Sequence, residues 1–327
     1  MPHFARAADD YQKLEYNESS TMSLRAQHAA LVFALFSGGV FAADLVGYSE
    51  SFDTLVSVNL TTRKATELGA AGYFGQQRVA NVEGLSMSPD GNLYAVSDAL
   101  KVLVRINPAN GAASLVGPLN LAGESNPSAQ LDFGMTFTCD GSLWLSAGDG
   151  NFWQVDPSTG ATTLIGNMGV KVTGLASSGE TIYAAGSQGN NQLYTVDPGS
   201  AHVTAIGAYG TTNYITTTSP AFDATGKLWA ILGYIPPNTT NFPQQSDLAN
   251  LDTAKGTLTN HGGISVPQDL ETNYFGNLRG FAISPPACVL RRPTDATPAV
   301  SGRGLALLIG LVMLVAGTRL RRRHPMH

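Results

Sequence analysis

A unit of two β-hairpins recurs along the body of this chain, and this repeat limits the possible folds more than any other feature. The first hairpin of each unit joins two apolar strands through a glycine-containing turn, at Asp90-Gly91, Asp140-Gly141, Gly179-Glu180 and Thr225-Gly226. Glycine accepts the positive φ that such turns require. An aromatic residue recurs in the strand that follows the turn, at Tyr94, Trp144, Tyr183 and Trp229.

The second hairpin of each unit turns at an asparagine or aspartate, as in the segment Asp156-Pro157-Ser158-Thr159-Gly160. Proline presets φ in such a turn and glycine closes it. The equivalent turn residues are Asn59, Asn107, Asp156, Asp197 and Asp252, with spacings of 48, 49, 41 and 55 residues. Two hairpins give four strands per unit of about 40 to 55 residues, which is the signature of β-propeller blades.

The units predict an all-β fold, a propeller of five four-stranded blades over residues 43–288. The last half-unit, residues 278–286, lacks its outer strands, and the segment 43–51 can supply one. The two ends of the body then share a blade, which closes the ring and removes an exposed sheet edge. Six blades remain an alternative if the stretches 70–81 or 234–247 contain further strands.

The N-terminal 42 residues are predicted to be a leader with an export signal that starts at Met22. Arg25 supplies the positive charge, residues 29–36 are the apolar stretch, and cleavage is expected between Ala42 and Ala43. The polar segment before Met22 favours Met22 as the true start. The alternative is an unusually long leader.

The C-terminal end predicts a membrane anchor. The apolar segment 304–320 would reach about 25 Å as a helix, and the basic tail 321–327 follows it. The positive-inside rule puts these arginines in the cytoplasm and the body outside, in agreement with the export signal. The expected location is the cell envelope, with the body outside the cytoplasm. Release to the surface after processing is the alternative.

The linker 289–303 and the residues after it carry a resemblance to the IPTL-CTERM sorting tail, which belongs with the PEP-CTERM signals of Gram-negative bacteria. Four positions match the family pattern: Pro298, Ser301, Gly304 and Leu305. Arg303 stands where the family has tryptophan. The resemblance implies transient anchoring in the membrane and processing by an exosortase-type enzyme as partner. The alternative is a plain single-pass anchor.

Charge and cysteine content exclude some partners and sites. The net charge is −10 over residues 43–290 and +6 after them, and an acidic body does not suit a nucleic acid partner. Cys139 and Cys288 are the two cysteines. They form no zinc motif, and in an oxidising compartment they are a disulfide candidate, with two free thiols as the alternative.

The residues that begin the innermost strands are the candidates for a site at the channel mouth. They are Glu83, Phe133, Thr173, Ser219 and Arg279. Only Glu83 and Arg279 are charged, and they belong to blades that are neighbours in a closed ring. An ion pair between them is therefore expected.

The body also resembles YVTN/NHL-like and lactonase-like propellers in general pattern. Glu83-Gly84 and the turn after it are similar to the metal-binding strand of gluconolactonase-type propellers, which implies a calcium or zinc ion at Glu83. Asp132, Asp98 and Asn277 are the available further ligands. Calcium is thus the cofactor to test, although no spacing requires one.

No catalytic residue is predicted, because the body has no G-x-S-x-G or HExxH motif and its two histidines, His202 and His261, fall in outer hairpins. The sequence therefore favours a non-enzymatic module, anchored at the envelope, that binds or presents an unidentified envelope or extracellular ligand. The alternative is an exported metal-dependent hydrolase of the lactonase or phytase type.

Overall fold

The computed structural model describes residues 45–51, 53–124, 131–235, 245–267, 278–284 and 286, and all regular structure in these ranges is β-strand. Blade 1 contains β1 (Val46–Ser51), β2 (Thr54–Asn59), β3 (Lys64–Ala70) and β22 (Arg279–Ser284). Blade 2 contains β6 (Val82–Met87), β7 (Leu93–Ser97), β8 (Val102–Ile106) and β9 (Ala113–Pro118). Blade 3 contains β10 (Phe133–Phe137), β11 (Leu143–Ala147), β12 (Asn151–Val155) and β13 (Thr162–Asn167).

The remaining sheets complete the ring. Blade 4 contains β14 (Val172–Ser178), β15 (Thr181–Gly186), β16 (Gln192–Val196) and β17 (Val203–Ala208). Blade 5 contains β18 (Tyr214–Phe222), β19 (Leu228–Ile235), β20 (Gln245–Leu251) and β21 (Leu258–Gly263). The short strands β4 (Tyr73–Phe74) and β5 (Gln77–Arg78) form a separate hairpin between blades 1 and 2.

Five innermost strands surround the centre. β6, β10, β14, β18 and β22 each contact the next one in this order, and β22 contacts β6 again. The prediction of a five-bladed propeller is confirmed. The stretch 70–81, which could have hidden part of a sixth blade, holds only the hairpin of β4 and β5.

The two ends of the body share blade 1, as expected. β22 is its innermost strand and pairs antiparallel with β1, with Val46 opposite Ser284. Ser49 reinforces the junction, because its hydroxyl donates a 2.7 Å hydrogen bond to the carbonyl of Gly280. Strands from opposite ends of the chain therefore close the ring.

The asparagine and aspartate turns are stabilised by their own side chains. In each, the side-chain oxygen accepts a backbone N–H two residues later, as at Asp156 with the Ser158 N–H at 2.8 Å. Asn59, Asn107, Asp197 and Asp252 do the same. This local bond explains why the repeat selects short polar side chains at these positions.

A close backbone contact between neighbouring blades also recurs. The residue four positions after each turn residue has positive φ and faces the outer strand of the preceding blade. A Cβ on Gly117 of β9 would lie 2.0 Å from the carbonyl oxygen of Thr159, and a Cβ on Gly207 of β17 would lie 2.1 Å from that of Lys255. The five positive-φ positions are Arg63, Gly111, Gly160, Ala201 and Gly256. Glycine on the outer strand therefore lets each blade approach the next one.

Two of these five positive-φ positions, Arg63 and Ala201, are not glycine. Replacing Ala201 with glycine should stabilise the fold. Ala201 is 1% exposed and has φ of 60°, which is unfavourable for a residue with a Cβ. We expect Ala201→Gly to raise the free energy of unfolding by about 1 kcal/mol, after the entropy cost of glycine. Urea unfolding measures the change.

Ala161→Gly is the matched control for this prediction. Ala161 is exposed and directly follows the equivalent turn position of blade 3, and its φ is not positive. We expect it to lose about 0.5 to 1 kcal/mol. A loss of stability in both variants would contradict the account of Ala201.

The apolar core lies between blades. Trp153 of β12 is fully buried and its indole N–H donates a 2.9 Å hydrogen bond to the carbonyl of Ala122. Two aromatic residues of the repeat contact the innermost strand of the next blade, Tyr94 with Phe137 and Tyr183 with Phe222, each at 5.2 Å between ring centroids. Packing between blades thus accounts for the recurrence of these aromatic side chains.

Candidate functional site at the channel mouth

The candidate site lies at one end of the central channel, where the innermost strands begin. Glu83 of β6 and Arg279 of β22 form an ion pair, with 2.5 Å between Oε1 and Nη1. Glu83 is 4% exposed, and its Oε2 accepts the backbone N–H of Phe133 at 2.9 Å. One carboxylate thus connects blades 1, 2 and 3.

Burial changes the acidity of this carboxylate. The pKa of Glu83 is raised to about 7, chiefly by desolvation, with the charges of Asp132 and Asp98 adding to the shift and Arg279 and the N–H of Phe133 opposing it. The positive charge of Arg279 therefore does not offset the loss of water. The carboxyl group of Glu83, with a pKa of about 7, therefore titrates near neutral pH.

Asp132 extends the network to blade 4. Its Oδ1 lies 3.8 Å from Arg279 Nη1, and its Oδ2 accepts a 2.6 Å hydrogen bond from Gln188 Nε2. Gln188 follows β15 and has a positive φ of 52°. The structure thus brings together the three candidates Glu83, Arg279 and Asp132, with Gln188 as an additional member.

A second charged group adjoins the first. Asp98 is 2% exposed, contacts the Lys101 ammonium, and accepts the N–H of Leu131 at 3.0 Å. Burial raises the pKa of Asp98, with Lys101 opposing the shift. Lys101 Nζ also lies 3.7 Å from Glu124.

Lys101, Gln188 and Glu124 were not among the residues predicted from the sequence. Lys101 and Gln188 lie in turns between the second and third strands of their blades. An alignment of these turns across the repeat is the signal that could have found those two.

Below the mouth the channel is constricted by close backbone contacts. A Cβ on Gly174 would lie 2.0 Å from the carbonyl oxygen of Thr218, and one on Gly134 would lie 2.7 Å from Gly174 Cα. The cavity at this level has a volume of about 10 Å³. The charged network therefore sits above a nearly closed channel.

The candidate metal ligands fit a cation only if contacts change. A cation at Glu83 Oε1 would have to displace the Arg279 guanidinium, which already occupies that oxygen. Among the described residues, no group of three or more His, Cys, Asp or Glu side chains could hold a metal ion. Asn277 lies outside the described residues.

The two body histidines lie away from the mouth. His202 directly precedes β17, and His261 is in β21, both in outer hairpins. The His261 ring centroid lies 5.6 Å from that of Trp229, and its Nε2 contacts Asn250 Oδ1. Partial burial, together with the charges of Lys227 and Arg63, lowers the pKa of His261.

Glu50 is a buried acid that no sequence pattern singled out. It lies in β1, is 1% exposed, and neither carboxyl oxygen has a hydrogen-bond partner among the described residues. Burial raises the pKa of Glu50 well above its usual value, and the nearby charge of Asp53 adds to the shift. Burial therefore favours the protonated form of this side chain.

The remaining candidates concern the cysteines and the chain ends. Cys139 is disulfide-bonded, and Cys288, the other cysteine of the sequence, lies outside the described residues. So do the cleavage site at Ala42 and Ala43, the sorting motif and the apolar segment 304–320. In the described ranges, no helix has the length and apolar character to cross a membrane.

Comparison with known proteins gives similarities of low identity. No family model matches the chain, and no curated protein matches it. A gluconolactonase from Xanthomonas campestris aligns at 16% identity and TM-score 0.42, over 68% of this chain and 78% of that chain.

Two further solved structures align at a similar level. Virginiamycin B lyase from Staphylococcus aureus aligns at 16% identity and TM-score 0.38, over 64% of this chain and 77% of its own. A chain of a nidogen/laminin complex aligns at 11% identity and TM-score 0.43, over 73% and 98%. These values assign no function to the present chain.

Proposed function

We propose that this chain is an exported propeller, anchored at the cell envelope by its C-terminal segment, that binds or presents a ligand without chemical turnover. The observation that carries the proposal is the Glu83–Arg279 ion pair. Glu83 and Arg279 neutralise each other at the channel mouth, and the pair connects the first and last innermost strands, β6 and β22. We infer that the ion pair stabilises the closed ring.

The envelope part of the proposal rests on the sequence of the two ends. An apolar stretch precedes Ala43, as in export signals. The sorting-like segment from Pro298 to Leu305 is followed by an apolar run and then by arginines, as in membrane anchors. We propose an exosortase-type enzyme as processing partner. Mass spectrometry of the exported protein tests both cleavages, and an N-terminus upstream of Met22 would contradict the export signal.

Removal of Arg279 tests the role of the ion pair. Arg279→Gln leaves a buried carboxylate without its counter-charge, so we expect a loss of about 3 kcal/mol in unfolding free energy at pH 8. The pKa of Glu83 is about 7, so the loss should be smaller at pH 5.5, where Glu83 takes up a proton. Urea unfolding at the two pH values measures both.

Two further variants complete this test. Glu83→Gln in the Arg279→Gln background should recover most of the loss, because the carboxylate that had lost its counter-charge is then removed. Lys171→Gln is the control, since Lys171 lies exposed directly before β14, and we expect a change within about 0.5 kcal/mol. A loss in Arg279→Gln that is independent of pH and is not rescued would overturn the structural role.

The second candidate function is a metal-dependent hydrolase, and the raised pKa of Glu83 favours it. A buried carboxyl with a pKa of about 7 at a channel mouth suits general acid–base chemistry. Calcium titration and hydrolysis of a lactone and a phosphate ester are the assays. The binding proposal would be wrong if the chain binds calcium stoichiometrically and turns over a substrate, and if Glu83→Gln loses both properties while the exposed-site variant Glu67→Gln keeps them.

A further inference from the structure

A second cavity lies away from the channel mouth, on the mouth side of blades 4 and 5. Its volume is about 180 Å³, below the range of about 300 to 1,000 Å³ typical of sites for drug-sized ligands. The lining residues come from the connection between β17 and β18 and from strands β18, β19 and β21. None of them is in the ion-pair network.

The floor of this cavity is apolar. Ile215 and Leu232 are 1% and 3% exposed, and Tyr209 is 2% exposed with its hydroxyl donating to the carbonyl of Gly186 at 3.0 Å. Leu258 of β21 lines one wall. Tyrosine and leucine side chains together form an apolar surface that can make van der Waals contact with the C–H groups of a ligand.

The rim is polar but carries no charged side chain. It is formed by Thr211, Asn213, Tyr234 and Asn260. Asp247, behind the rim, accepts a 2.6 Å hydrogen bond from Asn260 Nδ2, and this bond orients the amide. Amide and hydroxyl groups can each donate or accept a hydrogen bond. None of the described residues that line the cavity is charged, and the Asp247 carboxylate behind them is engaged by Asn260 and Tyr234.

Two side chains beside the lining each have an oxygen without a hydrogen-bond partner among the described residues, one between β15 and β16 and the other in β18. Asn191 donates through Nδ2 to the carbonyl of Asn213 at 2.9 Å, while its buried Oδ1 has no partner. The hydroxyl of Thr216, next to Ile215 in the lining, is also buried without a partner. Buried polar atoms left unpaired cost free energy, so these two side chains beside the cavity are not fully satisfied by groups of the described residues.

We propose that this cavity binds a neutral, polyhydroxylated small molecule of the size of one sugar unit. The apolar floor can contact the C–H groups of such a ligand, and the neutral amide and hydroxyl groups of the rim can hydrogen-bond to its hydroxyl groups. The inference rests on the proposed binding function and names the site and ligand class for it. It assigns the ligand to a place that the mouth charges do not reach.

Saturation-transfer NMR on the full chain tests this, in a detergent whose headgroup contains no sugar. The neutral probes are methyl α-D-glucopyranoside and N-acetyl-D-glucosamine, and the charged probes are glucuronate and glucosamine. We expect transfer to at least one neutral probe and weaker transfer to its charged counterpart. Absence of transfer to both neutral probes, or preference for a charged one, would overturn the proposal.

Variants at the rim locate the binding. Asn213→Ala should weaken binding at least fivefold, and Asn213→Trp, which fills the cavity, should abolish it. Gln77→Ala is the control, because Gln77 is exposed on the hairpin of β4 and β5, and it should bind as the unmodified chain does. Should Asn213→Trp not fold, Asn213→Ala still decides, because binding unaffected by it would place the ligand elsewhere.

The mouth variants separate this inference from the proposed function. Arg279→Gln and Glu83→Gln should leave sugar binding unchanged. Turnover that depends on Glu83, together with sugar binding that depends on Asn213, would refute the non-enzymatic function and leave the sugar site standing. Loss of sugar binding in Glu83→Gln but not in Asn213→Ala would refute the site itself.

Discussion

Gly174→Ala should lose about 3 kcal/mol of unfolding free energy, the upper part of the range for overpacking. A Cβ at this position of β14 would lie 2.0 Å from the carbonyl oxygen of Thr218 and 2.3 Å from Pro220 Cδ. Neither a backbone carbonyl nor a proline ring can move aside alone. Innermost strands β14 and β18 would have to separate. Urea unfolding and the thermal midpoint measure the loss.

Gly148→Ala is the matched control for steric crowding. The nearest atoms to a Cβ on Gly148 lie at 3.8 Å, an ordinary van der Waals contact, and its φ is not in the positive range. We expect a change within about 0.5 kcal/mol. An equal loss in both variants would show that the cost comes from replacing glycine as such and not from the close approach of blades 4 and 5.

Glu50→Leu should stabilise the protein by about 1 to 3 kcal/mol at pH 8. The carboxyl of Glu50 is buried and neither oxygen has a partner, so the folded chain bears a desolvation cost that leucine of similar size does not. The site faces Leu55 across the β1–β2 pair. Chemical unfolding of the two proteins at pH 8 measures the gain.

The pH dependence of this gain identifies its cause. Because burial raises the pKa of folded Glu50 above the unfolded value, the unmodified chain loses stability as the pH rises from about 4.5 toward the folded pKa. The gain from leucine should therefore shrink at pH 4. Glu50→Gln should remove the pH dependence but gain less, since an unpartnered amide remains. A gain in Glu50→Leu that does not change with pH would contradict this account.

The fold could be predicted because its local signals are strong. Glycine in the inner turns and asparagine or aspartate in the outer turns are required by backbone geometry, and Gly91 and Gly141 have φ of 84° and 88°. These signals repeat at blade spacing, so they give the number of strands. Closure through β22 and β1 followed from the half-unit left over at the end.

The site could be predicted only in part. A closed ring makes the first and last innermost strands neighbours, and this alone brought Glu83 and Arg279 together. Lys101 and Gln188 lie in turns of unequal length between second and third strands, where sequence spacing gives no register. Glu50 lies between β2 and β22, opposite Leu55 and Arg279, and no local pattern in the sequence indicates pairing with a strand from the other end of the chain.

Closure by β22 has a consequence for the way the chain can reach its final form. Arg279 pairs with Glu83 across 196 residues of sequence, and the innermost strand of blade 1 is the last strand of the body to leave the ribosome. Until it arrives, β1 has an unpaired edge and the centre of the molecule is open on one side. The blades have the same four-stranded architecture, but a chain truncated before residue 279 would not form a propeller with fewer complete blades, because blade 1 would lack its innermost strand. Such a chain lacks the segment on which closure of the whole ring depends.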